Sequence, residues 1–285
     1  MELTQSVDSW ESLHAADDER LKDARLQLHH AAQIPASFAA TVFPHVADYS
    51  HTALVWDEAN RALTVNPQFE SRVRPGLRMS DISLIATNED GEIVDSFGLR
   101  GKTLDDGVRW LHDIVSQYHY DPDQMRSLEH EMPDHDIAGG EPVDAAEEEL
   151  ELLATWYSNA NGILQEAKRS LDNASPVYCW PHHFDIATLV KIDDTGDHDD
   201  RSVGLGLSPG DTYEVQPYWY AMPWPVPDRE KLPEFEPPGE WYTDGWTGAV
   251  LKSNSIVSLD RAEQHKAVAA FLAYGWEAAH KLLTE

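Results

Sequence analysis

Two stretches of this chain repeat one hydrophobic spacing, which restricts the fold to arrangements in which a similar helix opens each half. Leu21, Ala24, Leu28, Ala31, Pro35, Phe38 and Val42 recur at helical intervals, and Leu150, Leu153, Tyr157, Ala160, Leu164, Ala167 and Leu171 repeat them 129 positions on. Each half then enters sequence of strand character, residues 51–56 in the first and 183–190 in the second. Each half also closes on a helix: Leu104, Val108, Leu111, Val115 and Tyr118 match Val268, Leu272, Gly275, Ala279 and Leu282 at a displacement of 164. The displacement grows by 35 residues, so the second strand region carries an insertion, and seven of the 17 prolines fall between Pro217 and Pro238. That density predicts extended chain following the surface and covering the sheet, and Pro35 predicts a bend or break in the first helix.

Connections between the predicted strands are too short for crossover helices, so the strands pair antiparallel. The expected fold is α+β, two similar halves of helix, antiparallel strands and helix, related by internal duplication. Residues 1–120 form the first half, 121–143 an acidic linker, and 144–285 the second half with its Pro- and aromatic-rich insertion. Further strands are expected at 61–66, 81–87 and 92–98, then at 181–192, 201–207, 213–220 and 246–251. Helix starts are expected at Thr103, with Asp106 three residues on, and at Ser258.

Composition narrows the function. With 51 acidic residues against 21 basic, the net charge of −30 repels phosphate backbones and anionic lipid, so neither nucleic acid nor membrane is an expected partner. The single Cys179 excludes an internal disulfide framework, and the first five residues lack signal-peptide character, which makes the cytoplasm the expected compartment. The Asp193 to Asp200 run lacks the spacing of an EF-hand loop and reads as a solvated acidic surface, with cation binding as the alternative. No nucleotide loop, zinc signature or Gly-x-Ser-x-Gly is present.

Chemistry is concentrated between residues 175 and 225. On a strand starting at Pro181, His183 and Asp185 share one face and His182 the other. The pair His183 and Asp185 suits an imidazole base with its orienting carboxylate, or two ligands of a metal; His182 and His183 equally suit backbone hydrogen bonds at a strand entrance. Spacing alone does not separate these uses. Ser208-Pro209-Gly210-Asp211 has type II turn chemistry, and Asp211 at a strand end faces the same cavity if that cavity exists. Tyr218 and Tyr220 share a strand face and Trp224 follows, with Trp246 close by, so these rings are either core or the wall of a site. His51 occupies the matching place in the first half.

The block Trp180-Pro181-His182-His183-Phe184-Asp185, the Ser208 to Asp211 turn, and Pro217-Tyr218-Trp219-Tyr220 with Pro223-Trp224-Pro225 resemble an uncharacterised family of soluble microbial proteins, a domain of unknown function. The resemblance groups these residues and implies no reaction. The function expected from the residues is binding of a small molecule in a His/Asp/aromatic pocket of the second half. His183, Asp185 and Asp211 are its candidate catalytic groups, and His182, Tyr218, Tyr220, Trp224, Trp246 and His51 its ligand contacts. Acid/base or metal-assisted chemistry is open there, and the cofactor and any metal are unspecified. The alternative is a non-catalytic protein whose aromatic segment joins the subunits of a homodimer.

Overall fold

The computed structural model describes residues 9–196, 200–235 and 238–285. Residues 197–199 of the acidic run, and 236 and 237 of the proline-rich stretch, lie outside the described residues, as does the N-terminus to residue 8. Among the described residues are four α-helices and eleven strands. The chain divides into two compact units. The N-terminal unit holds 16–154 and 178–184; the C-terminal unit holds 155–177, 185–285 and the described residues up to 15. Among the described residues no helix is long and apolar enough to cross a membrane.

In the N-terminal unit, α1 (Asp18–Val42) starts on Asp17, whose carboxylate accepts the Arg20 N–H at 3.1 Å, with Asp18 and Glu19 favourably placed in the first turn. It runs unbroken through Pro35, so the expected break does not occur. Proline removes one helical hydrogen bond, but the buried stripe Leu28, Ala31, Ile34 and Phe38 holds the segment to the sheet on both sides of it. The strands are β1 (Leu54–Asp57), β2 (Ala62–Val65), β3 (Arg74–Arg78), β4 (Ser83–Thr87), β5 (Ile93–Gly98) and β6 (Tyr178–Trp180). β1 to β5 form an antiparallel meander, and β6 adds to β1 through Leu54 opposite Cys179. α1 packs on β2 and β3. α2 (Leu104–Gln117) opens with the capping box of Thr103 and Asp106 and buries Leu111, Ile114 and Val115.

α3 (Glu147–Ser170) has its first residues in the N-terminal unit and the remainder in the C-terminal one. The C-terminal unit adds β7 (Asp185–Lys191), β8 (Ser202–Ser208), β9 (Tyr218–Trp224), β10 (Glu240–Tyr242), β11 (Gly248–Lys252) and α4 (Arg261–Thr284). Their antiparallel order is β7-β8-β9-β11-β10. One face buries Ile186, Val203, Leu205, Leu207, Trp219, Ala221 and Leu251, and α4 lies against β8, β9 and β11. The α4 approach is close: a Cβ at Gly275 would stand 2.8 Å from that of Ala221. α4 begins on Asp260, two residues later than expected.

Two departures concern the expected strands. Pro181 to Phe184 form a turn, with the His183 and Phe184 N–H groups on the Trp180 carbonyl at 3.2 and 2.7 Å, and β7 starts only at Asp185. The alternation expected to put His183 and Asp185 on one face therefore does not apply. Residues 218–224 are an integral strand between β8 and β11, so that part of the proline-rich stretch does not cover the sheet. The chain after Trp224 is the true excursion. Phe235 fixes it against Trp241, Phe271 and Tyr274, and the Tyr274 hydroxyl donates to the Glu234 carbonyl at 2.8 Å.

Candidate functional site

Opposite the α4 side, the C-terminal sheet presents a face whose rows follow from register. Ala187, Gly206, Tyr220 and Val250 align across four strands, and Ser208, Tyr218 and Lys252 form the next row. Small residues on β8 let rings from β9 lie over it. A Cβ at Gly206 would stand 2.6 Å from the Tyr220 Cζ and hydroxyl oxygen, so glycine there is the condition for Tyr220 to cross β8. Its hydroxyl donates to the Asp185 carboxylate on β7. Tyr220, Ala187, Tyr218 and Val250 form one buried cluster with Tyr242 and Trp246 against it.

Asp211 organises the loop after β8. One carboxylate oxygen, Oδ1, accepts the N–H groups of Tyr213 and Glu214 at 2.8 and 3.0 Å; the other, Oδ2, accepts the Tyr218 hydroxyl at 2.6 Å. Burial first, and then the Asp211 charge, push the Tyr218 phenol well above its ordinary pKa, so it stays a donor. Trp246 stacks on Tyr218 with ring centres 6.2 Å apart, and Tyr242 lies 5.1 Å from Trp246 and 6.2 Å from Tyr213. Gly245 at φ 91° brings the chain under the Tyr213 ring, 2.9 Å from where its Cβ would be.

These rings, with Glu214, Val250 and Lys252, enclose a recess of about 10 Å³, the room of a single water. Lys252 Nζ stands 3.3 Å from both Glu214 and Glu240. Burial opposes its charge, but the two carboxylates outweigh burial and raise its pKa. Asp244 and Asp211 raise the Tyr242 pKa further after burial, a sign of the negative surroundings of these rings. The structure thus joins Asp211, Tyr218 and Trp246, and joins Asp185 to Tyr220. Trp224 is apart from them, opposite Ser202 at the far end of β9 and 38% exposed.

The candidate histidines, His51, His182 and His183, belong to the N-terminal unit. His29 and Gln33 of α1 both donate to the Pro181 carbonyl at 2.8 Å, and His29 stacks on Phe184. His29 is buried, and desolvation lowers its pKa to about 4. His182 and His183 face each other at 4.3 Å, with His130 6.1 Å from His182. Desolvation, then His183 and His130, lower the His182 pKa to about 4, so it is neutral at physiological pH. His51 is buried before β1, accepts the Val46 N–H at 3.3 Å, and touches His45 and Tyr49. Among the described residues no three His, Cys, Asp or Glu side chains converge as a metal site.

Sequence reasoning missed Tyr213, Glu214, Gly206 and Lys252. Lys252 was within reach, because it is two residues past Val250 and so shares its strand face. Tyr213 was not, since it was expected inside a strand and instead stands on the Asp211 loop. Comparison with family models, with curated proteins and with solved structures finds no match for this chain.

Proposed function

We propose that this protein binds a small organic cation in the ring-lined recess of the C-terminal unit and does not turn it over. One juxtaposition carries the reading: Tyr213, Tyr218, Tyr242 and Trp246 share a recess with Glu214, beside Asp211 and Asp244. Ring faces attract an ammonium by about 0.5–2 kcal/mol each, most when water is excluded, and the carboxylates add charge. Both Asp211 oxygens already hold hydrogen bonds that order the loop, which suits fixed binding better than proton transfer. The recess as it stands has room for one water, so the reading requires Tyr213, 56% exposed on its loop, to turn outward for the ligand, which would share Glu214 with Lys252 while Glu240 retains the lysine. The test is thermal unfolding with choline against the isostere carrying tert-butyl in place of trimethylammonium. Choline is expected to stabilise the wild type, the isostere not, and Trp246→Ala to remove the effect.

A specific observation also favours a second reading, a homodimer. Leu189, Gly204 and Met222 align across β7, β8 and β9 with Trp224 in the next row on the same face, and Leu189, Met222, Trp224 and Val226 are all exposed. Sedimentation should then give a dimer that Trp224→Ala dissociates, whereas a monomeric wild type removes this reading.

The halves are proposed to descend from one duplicated unit. Support comes from the matched helix positions: Leu21, Ala24, Leu28, Ala31, Pro35 and Phe38 are all buried, as are Leu150, Leu153, Tyr157, Ala160, Leu164 and Ala167, and Val42 and Leu171 are both less so. His51 precedes β1 by three residues, as His182 precedes β7. Superposition of β1–β5 on β7–β11 tests it, and unrelated strand paths would count against it.

A further inference from the structure

We infer that the N-terminal unit carries a separate binding site for a small molecule bearing an oxyanion, carboxylate or phosphate, clamped by Arg72 and Arg74. The site is a basin of about 580 Å³ lined by residues 67–72, Arg74, Glu89 and Tyr120, within the size range of small-molecule sites. Arg74 opens β3 and Arg72 stands two residues before it; both line the basin, while Val73 between them is fully buried in the core.

Both arginines are held in place without being neutralised. Arg74 Nη1 donates to the carbonyls of Asn88 and Glu89 at 3.2 and 3.1 Å, while its Nε has no acceptor among the described residues. Arg72 Nη1 donates to the Tyr118 carbonyl at 3.3 Å. Neither forms an ion pair among the described residues, although Glu70 and Glu89 line the same basin and the chain has 51 acidic residues. Carbonyl partners leave a guanidinium its full charge, and a carboxylate or phosphate is the group whose paired oxygens match its fork.

The floor is rigid. The Tyr120 hydroxyl accepts the Arg72 backbone N–H at 3.3 Å and lies 3.3 Å from the Ser71 hydroxyl, and its ring packs edge-on against Phe38. Phe69 stacks on Phe43 at 4.9 Å, and Phe43 meets Phe38 edge-on. Phe69, half-buried, offers its remaining surface to the basin, so a ligand with an apolar body beside its oxyanion fits better than a bare ion. Overall negative charge slows the approach of such a ligand but does not cancel two arginines at contact distance, because screening confines the field to about 8 Å at physiological salt.

The test titrates the full chain with phenyl phosphate, benzoate and the neutral control benzyl alcohol, read by calorimetry at millimolar ligand. Binding of either anion and not of benzyl alcohol is expected; phosphate-only or carboxylate-only binding identifies the source of the oxyanion. Arg72→Gln, an exposed side chain, should fold as the wild type and weaken binding about tenfold or more. Arg74→Lys, which keeps the charge and removes the fork, should weaken it comparably. Absence of binding by both anions, equal binding of benzyl alcohol, or undiminished affinity in Arg72→Gln would overturn the inference. The ring site is distant in sequence and its variant Trp246→Ala should leave this binding unchanged.

Discussion

An alanine at Gly206 would place its Cβ 2.6 Å from the Tyr220 Cζ and hydroxyl and 2.8 Å from the Ala187 Cβ, distances at which something must shift. If the ring stays, the cost is that of overpacking, about 1–3 kcal/mol. If the ring moves, Tyr220 gives up its hydrogen bond to the Asp185 carboxylate, about 1.5–3 kcal/mol for a charged partner. Against either stands the roughly 0.5–1 kcal/mol gained when alanine replaces glycine and narrows the unfolded ensemble. Gly206→Ala should therefore destabilise by about 1–2 kcal/mol. Gly204, two residues away on the same face, is the internal control: its Cβ would meet Tyr220 Cε2 at 3.7 Å, an ordinary contact. Gly204→Ala should be neutral or slightly stabilising. The assay is urea unfolding followed by fluorescence, with the slope checked for constancy. In a Tyr220→Leu background the Gly206→Ala penalty should largely disappear, as a shared contact requires. Equal effects of the two alanines, or an undiminished penalty without the Tyr220 ring, would refute the claim that Gly206 exists to let Tyr220 cross the strand.

Acid should weaken the fold through His29. Its pKa is lowered from 6.5 to about 4 in the folded state, so the unfolded chain binds the extra proton between those values and stability falls as pH drops through that window. The shift is worth about 3 kcal/mol, and a His29→Gln variant should show a flatter stability profile from pH 6.5 to 4 in parallel urea titrations. Asp211→Ala removes the acceptor of the Tyr213 and Glu214 N–H groups and of the buried Tyr218 hydroxyl, and should cost about 2–3 kcal/mol. Adding Tyr218→Phe should return part of that loss, since the orphaned hydroxyl goes with it; strict additivity would contradict the pairing.

The helices were legible because their signal is redundant: α1 and α3 each repeat an apolar stripe over six turns, and α2 adds a capping box at Thr103. The β3 strand and the true extent of β9 were not, and for the same reason. Each contains a proline, Pro75 or Pro223, which normally marks an edge. In both, pairing on one side ends before the proline: β2 stops at Gly76 and β11 at Ala221, so the proline pairs with a single neighbour. The site was legible in part. Local spacing singles out Asp211, Tyr218, Tyr220 and Trp246 as candidates, and the structure brings Asp211, Tyr218 and Trp246 together. The reach of Tyr220 over Gly206 depends on a cross-strand register no local pattern encodes, and the turn at Pro181 to Phe184 depends on α1, whose His29 and Gln33 hold the Pro181 carbonyl. Phe184 adopts φ 58°, which a phenylalanine in a regular strand does not, and nothing in its own sequence signals this.

The central claim is that the rings around Tyr218 and Trp246 recognise a cation, and calorimetric titration of the full chain with choline measures it most directly. The account predicts saturable one-site binding by choline. The tert-butyl isostere should bind at least about tenfold more weakly, as loss of cation–π attraction to several rings requires. Trp246→Ala should abolish the choline signal while Trp224→Ala, at the far end of β9, preserves it. Equal affinity for choline and its uncharged isostere, or choline binding that survives the loss of Trp246, would contradict the account.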